Sequence, residues 1–269
     1  SWLVMRRGVI VDEGRRDGAP LRIDARDIAK SITGLLVGEL IEDGILAGPD
    51  VPVSKLVPAW TGPERDQVTL RHLLTHTAGL PPSTSDTLTL PFVLACRPEA
   101  EPGSAFAYGD AGVVLLGHAL SEVSKRPLAE WARERLFEPL DMRQTAYALD
   151  SLGQANAADG LWTTTHDLAR LGLCLLSDGL HQGKRVISST WIESVTRRSQ
   201  DLFPSAGMLF WIIETPRGFA ATGRHGNHLF VFPTLDLVVV RLQSGPAVDG
   251  GRAYEPAALQ HFNAMPAHH

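Results

Sequence analysis

The sequence predicts an α+β fold in which one antiparallel sheet is built from both chain ends, with flanking helices and an inserted, mainly helical lobe. Three observations carry this expectation. Strand-like runs open and close the chain, helical spacing fills its middle, and a nearly all-apolar helical stretch occupies residues 28–41.

Residues 2–5 and 9–12 are short β-rich runs divided by Arg6-Arg7-Gly8, the composition of a hairpin. Residues 28–41 then place apolar side chains at 28, 32, 35, 36, 40 and 41, which is helical spacing. Because that stretch is apolar almost all round after its first turn, the helix is expected to be central and buried. Gly34 and Gly38 lie within it. A helical glycine costs about 1 kcal/mol relative to alanine, so a neighbouring element is expected to press on each. Asp43-Gly44 supplies the stop, the glycine being free to turn left-handed.

Residues 68–74 read as a short helix leading into His76-Thr77-Ala78-Gly79-Leu80, and Pro81-Pro82 with the Ser/Thr-rich stretch behind them read as a surface loop. Helices are expected at 112–123 and 128–137, and another capped by Thr164 or Thr165 with Leu168, Leu171, Leu173 and Leu175 inside it. A short helix begins at 191–195. The last third changes character: 208–213, 228–232 and 235–242 are β-branched and aromatic, with a turn at Pro233-Thr234 and a final helix at 255–262. A single domain over 1–269 is expected, with a sheet lobe at about 1–24 and 205–269 and a mainly helical lobe at about 25–204.

A chain of 269 residues is long enough to bury a substantial core, and 44% hydrophobic with 20% charged residues is ordinary for a soluble globular protein. The net charge of −5 argues against nucleic acid or an anionic membrane as partner. No apolar run approaches the roughly 20 residues that span a bilayer, and no secretory signal pattern is visible, which points to the cytoplasm. Cys96 and Cys174 each sit in an apolar run at no metal-ligand spacing, so two buried free thiols are expected rather than a disulfide. No metal or cofactor is expected. The expected partner is a small-molecule substrate, and a homo-oligomer is compatible with the sequence.

Five segments carry a resemblance, in this order: LRIDARDIAKSITGLLVGELIEDGIL, VTLRHLLTHTAGLP, PGSAFAYGDAGVVLLGHAL, AADGLWTTTHDLARLGLCLL and ATGRHGNHLFVFPTLDLVVV. Together they resemble the penicillin-recognising serine hydrolase superfamily of class C β-lactamases, penicillin-binding DD-peptidases and related esterases and amidases. The last segment resembles the nylon-oligomer hydrolase and esterase branch in particular. The resemblance implies a β-lactamase/transpeptidase-like fold and a cleft built from three motifs. Fold alone does not settle function.

In that family a Ser-x-x-Lys motif opens the buried helix, and the serine attacks a carbonyl after lysine and tyrosine remove its proton. Here the four residues are Asp27-Ile28-Ala29-Lys30. The lysine is in register, but Asp27 stands where the nucleophile belongs. Ser31 lies about 100° round the helix from Lys30 and is not expected to replace the missing hydroxyl. The helix N-terminus and Lys30 should hold Asp27 ionised and Lys30 protonated. A protonated lysine is no base, so ordinary acyl-serine chemistry is expected to be absent. Aspartate is equally a good N-cap, so Asp27 also reads as a residue that only closes a helix.

The second motif is Tyr108-Gly109-Asp110. Tyr108 matches the family's acid/base tyrosine, and Lys30 is expected to depress its pKa; the plain alternative is a half-buried tyrosine. Asp110 replaces an asparagine that donates to the substrate amide. An ionised carboxylate cannot donate, so a cationic or hydroxylated ligand would suit it better.

The third motif is read as Arg224-His225-Gly226. It keeps positive charge in a planar fork suited to carboxylate or phosphate, a plain surface arginine being the alternative. By resemblance the backbone N–H of Asn227, with that of Asp27, would form the oxyanion hole. His225 and His228 would fall on opposite faces of a strand, so no metal pair is expected. His76 is expected to be structural. The expected catalytic residues are therefore Asp27, Lys30 and Tyr108, and the expected substrate contacts are Asp110, Arg224, His225, Gly226 and Asn227.

Three functions stay open at this point. One is an enzyme with redirected chemistry on a small metabolite, by proton transfer, cyclisation, isomerisation or hydrolysis. Another is a non-catalytic ligand-binding protein on a hydrolase scaffold. The third is an esterase, amidase or β-lactamase-type hydrolase carrying a Ser→Asp substitution.

Overall fold

The computed structural model describes residues 1–83, 88–150 and 152–245. Strands β1 (Trp2–Arg6), β2 (Val9–Gly14) and β3 (Ile23–Asp24) precede helix α1 (Ile28–Glu42). The helical lobe continues with α2 (Leu70–Leu74), α3 (Leu90–Ala95), α4 (Ala111–Ser124) and α5 (Leu128–Ala132). Strands β4 (Ala146–Tyr147) and β5 (Leu161–Thr163) come next, then α6 (Thr165–Leu176), β6 (Leu180–His181), β7 (Lys184–Arg185) and α7 (Ser189–Val195). Strands β8 (Trp211–Ile213), β9 (Gly218–Gly223), β10 (Asn227–Phe232) and β11 (Leu237–Arg241) follow.

The main sheet has the order β2-β1-β11-β10-β9-β8 and is antiparallel throughout. Both chain regions therefore meet in one sheet, as the β-branched runs predict. Leu3 pairs with Val240, Val240 with Leu229, and Leu229 with Ala221, so these four line one face. All four are buried in the main core. Helix α6 covers that face closely, because a Cβ added to Gly172 would overlap the Val238 side chain.

Helix α1 is buried from Ile28 through Leu40, as its apolar sequence requires. Of its two glycines, Gly38 has the expected cause, whereas Gly34 is not closely pressed. A Cβ on Gly38 would overlap the Trp191 ring from α7, and one on Gly34 would lie 3.4 Å from Leu209. Gly44 turns left-handed with φ 69, just past the end of α1. Thr164 caps α6 by accepting the Asp167 N–H at 3.1 Å.

Some expectations are corrected. The helix read at 128–137 is α5 followed by one π-helical stretch, Arg133–Phe137. The strand read at 208–213 begins only at Trp211, because Leu209 is left-handed at φ 61. Strand β9 gives no β signal in GFAATG and forms because β8 and β10 pair with it on both sides. The cysteines are free thiols, but Cys96 is only half-buried. The helix expected at 255–262 and part of the Ser/Thr-rich loop lie outside the described residues. Among the described residues no helix is long and apolar enough to cross a membrane.

The end of β9 and the start of α1 are pressed together. A Cβ on Gly223 would overlap the Ala25 carbonyl and lie 3.2 Å from the Asp27 nitrogen. Only glycine permits that approach.

Candidate active site

Asp27 occupies the N-cap position of α1, yet its side chain caps no N–H of that helix. The carboxylate is turned inward instead. Oδ1 accepts the Lys30 ammonium at 2.6 Å and the Tyr108 hydroxyl at 3.3 Å. Oδ2 accepts the Arg224 backbone N–H at 3.0 Å and its Nε–H at 3.2 Å. The plain N-cap reading is thereby excluded.

Lys30 follows one helical turn later on the same face. Its ammonium reaches Asp27 Oδ1 at 2.6 Å, Asp110 Oδ1 at 2.7 Å and the Ala158 carbonyl at 3.0 Å. Three protons thus meet three acceptors, and all three side chains are buried. Burial opposes the lysine charge, but Tyr108, Asp27 and Asp110 together outweigh it and hold its pKa above the ordinary lysine value. Burial likewise works against the Asp27 charge, yet Lys30 and the Arg224 N–H hold that carboxyl below the usual range. Asp27 is an anion beside a fixed cation, as the sequence implied.

The Tyr108 expectation is corrected. Burial pushes its phenol up to about 12, and Asp27 adds to the rise, against the opposing pull of Lys30. Tyr108 is therefore a neutral donor rather than an easily formed phenolate. Its ring lies against His76 at 4.7 Å and Trp211 at 5.7 Å between centroids. Desolvation lowers the His76 imidazole to about 3, so it stays neutral as a wall of the cleft. Ser31 is occupied elsewhere, donating to the Leu209 carbonyl at 2.5 Å.

Of the expected substrate contacts, Asp110 is buried against Lys30 at the N-cap of α4. Arg224-His225-Gly226 is a short 3-10 turn between β9 and β10, with His225 at φ 67 and Gly226 at φ 79. A Cβ on Gly226 would overlap the Arg241 guanidinium, so that glycine serves the turn. Asn227 is wholly buried, donating to the Arg224 carbonyl at 2.9 Å and the Asp24 carbonyl at 3.3 Å. Its side-chain oxygen accepts the Gln243 N–H at 2.8 Å. The N–H aimed at position 27 is that of Arg224, not Asn227.

Sequence reasoning missed Asp159. Its carboxylate pairs with the Arg224 guanidinium, and Arg26 approaches it at 3.8 Å. Burial raises the Asp159 carboxyl to about 6 against the pull of Arg224. An aspartate in an AADG loop gives no signal of such a role. Also missed were Thr222 and the aromatic wall of Phe106, Phe203 and Trp211, in which Phe106 and Phe203 stack at 4.7 Å. The cleft among Asp27, Lys30, Tyr108, Thr222 and Trp211 encloses about 20 Å³, little more than one water molecule needs. Among the described residues no group of three or more His, Cys, Asp or Glu is placed to hold a metal.

Comparison with known proteins agrees with this architecture. The family profile described as Beta-lactamase matches residues 9–262. The 6-aminohexanoate-dimer hydrolase of Paenarthrobacter ureafaciens is 28% identical over 292 aligned positions, covering 93% of this chain and 73% of that protein. A beta-lactamase from Mycobacterium bovis superposes with a TM-score of 0.75 at 22% identity, over 98% of this chain and 93% of that one. EstCE1, a hydrolase with promiscuous acyltransferase activity, gives 0.78 at 19% identity, over 97% and 92%. With its sheet, its buried Lys30 helix and nearly its whole length matched, the chain belongs to the beta-lactamase family, a family with the hydrolase fold.

Proposed function

We propose that this chain is a non-acylating member of its family, which captures a small molecule at the Asp27 cleft and performs no acyl-serine hydrolysis. The observation that carries this reading is the full engagement of Asp27. Oδ1 is held by Lys30 and Tyr108, and Oδ2 by the Arg224 N–H. Acyl transfer needs an activated nucleophile and a backbone donor left open for the developing oxyanion. Here the donor already serves a resident carboxylate, and the lysine has no lone pair to accept a proton. Arg224 is the group left to meet a ligand, because its side chain is 37% exposed and its planar fork suits carboxylate or phosphate. Admission of a ligand requires that guanidinium to swing away from Asp27 and Asp159.

The test uses a fluorescent penicillin and a fluorophosphonate, read by intact mass. No adduct is expected on the wild-type protein, and an adduct on any cleft residue overturns the reading. Small monocarboxylates that raise the melting temperature of the wild type should not do so for Arg224→Gln.

A second reading, redirected proton-transfer chemistry, is favoured by one contact: the neutral Tyr108 phenol stands 3.3 Å from the Asp27 carboxylate. A donor and an acceptor then face the same cleft. It requires that Asp27→Asn and Tyr108→Phe each abolish turnover of a substrate while leaving the fold intact.

A further inference from the structure

Behind the Asp27 cleft lies a larger cavity of about 410 Å³, within the range of roughly 300–1,000 Å³ usual for small-molecule sites. It sits between the C-terminal half of α1, the loop at 47–49 and α7 with residues 197–199. It shares no lining residue with the cleft. The chain at 206–211 divides the two, Met208 facing the cavity and Leu209 the cleft.

Arg71, from α2, and Arg197 and Arg198, which follow α7, converge on this space, where Glu42 is the one acidic side chain in the wall. Hydroxyls of Ser188, Thr190 and Ser194 add polar groups, and Ile41, Trp191 and Met208 give an apolar side. Arg197 and Arg198 hold single-contact partners, whereas Asp50 holds Arg71 through two bonds, at 2.6 and 2.8 Å. Arg197 meets Glu193 at 3.3 Å and Arg198 meets Asp201 at 2.7 Å. Those carboxylates are 70%, 71% and 94% exposed. Single-contact ion pairs so open to water are weak, so a dianion clasped by several guanidiniums displaces those of Arg197 and Arg198 readily. The three arginines line one concavity from two separate stretches of chain.

We propose that this cavity is a second ligand site, which takes a small dianion, a phosphate monoester or its dicarboxylate equivalent, on an apolar skeleton. The anion sits among Arg71, Arg197 and Arg198, and the skeleton lies along Trp191 and Met208.

The test is calorimetric titration at low ionic strength with inorganic phosphate and with phenyl phosphate. One site per chain is expected, with phenyl phosphate the tighter ligand because its ring meets the apolar side. Arg197→Gln/Arg198→Gln should weaken phenyl phosphate by about tenfold or more. Arg71→Gln, on the opposite wall, should weaken it as well. The charge-matched control Arg15→Gln/Arg16→Gln should stay within about twofold. The site is overturned if neither ligand binds saturably at millimolar concentration, or if the control loses as much affinity as the cavity variant. It is equally overturned if only Arg224→Gln loses affinity, since the anion then belongs to the Asp27 cleft.

Discussion

The backbone N–H of Arg224 donates to Oδ2 of Asp27 at 3.0 Å, joining two residues 197 positions apart. Gly223 makes the approach possible, because any side chain there would overlap the Ala25 carbonyl. On the proposed reading, a carboxylate thus stands where an oxyanion would form. Substrate would have to compete with the protein's own side chain for that donor.

Shortening that side chain should release the donor. Asp27→Ser leaves the Arg224 N–H open and places a hydroxyl near Lys30 and Tyr108. Slow hydrolysis of a p-nitrophenyl ester is expected, with an acyl mass increment on Ser at position 27 and none on the wild type. The rate should stay low, because Asp110 and the Ala158 carbonyl still hold the Lys30 ammonium at 2.7 and 3.0 Å. A folded but wholly inert variant would mean that the rest of the cleft is no hydrolase.

Lys30 is the cation between two buried carboxylates. Lys30→Met removes the ammonium that Asp27 and Asp110 share, in a site closed to water, and leaves Asp27 only its contacts with Arg224 and Tyr108. A loss of about 3–5 kcal/mol is expected in urea denaturation at neutral pH. It should shrink as pH falls, since an unpaired buried carboxyl binds its proton more tightly in the folded state than in the unfolded one. A loss that does not change with pH would mean that packing, not charge, is what Lys30 supplies.

Much of this arrangement was legible in the sequence, for identifiable reasons. Asp27 and Lys30 are one helical turn apart, so helix geometry alone brings them together, and the terminal β-branched runs announce the sheet. What failed was anything decided by chain reversal or burial. The pattern reads Arg224-His225-Gly226 as extended chain, whereas two successive left-handed residues, His225 and Gly226, turn it. Tyr108 was judged by its charged neighbour, while desolvation dominates its pKa. Asp159 meets Arg224 across 65 residues, a pairing no local pattern encodes.

Gly38 offers a stability test. Alanine is the better helix former by about 1 kcal/mol, but its Cβ would overlap the Trp191 ring, whose Nε1–H is tied to the Gly34 carbonyl at 3.1 Å. Gly38→Ala is therefore expected to destabilise by about 1–3 kcal/mol in urea denaturation. Gly34→Ala, where the new carbon would sit 3.4 Å from Leu209, should be much milder. Equal effects would show that α7 yields more readily than its packing implies.

Glu39 gives α1 a pH dependence remote from the cleft. Its side chain is only 9% exposed and meets Arg135 at 3.1 Å. Burial raises the carboxyl from its ordinary 4.5 to about 7; Arg135 opposes the rise, and Asp43 and Glu42 add to it. The folded state therefore binds more protons than the unfolded one between those values, so stability falls as pH rises from about 4.5 to 7 and levels off beyond. Glu39→Gln keeps an acceptor for Arg135 and loses the charge. It should match the wild type at about pH 4 and exceed it by about 1–3 kcal/mol at about pH 8. Asp159, raised to about 6, slopes in the same direction but is present in both proteins. The difference between the two urea-denaturation profiles thus isolates Glu39, and parallel profiles would mean that Arg135 already compensates its charge in full.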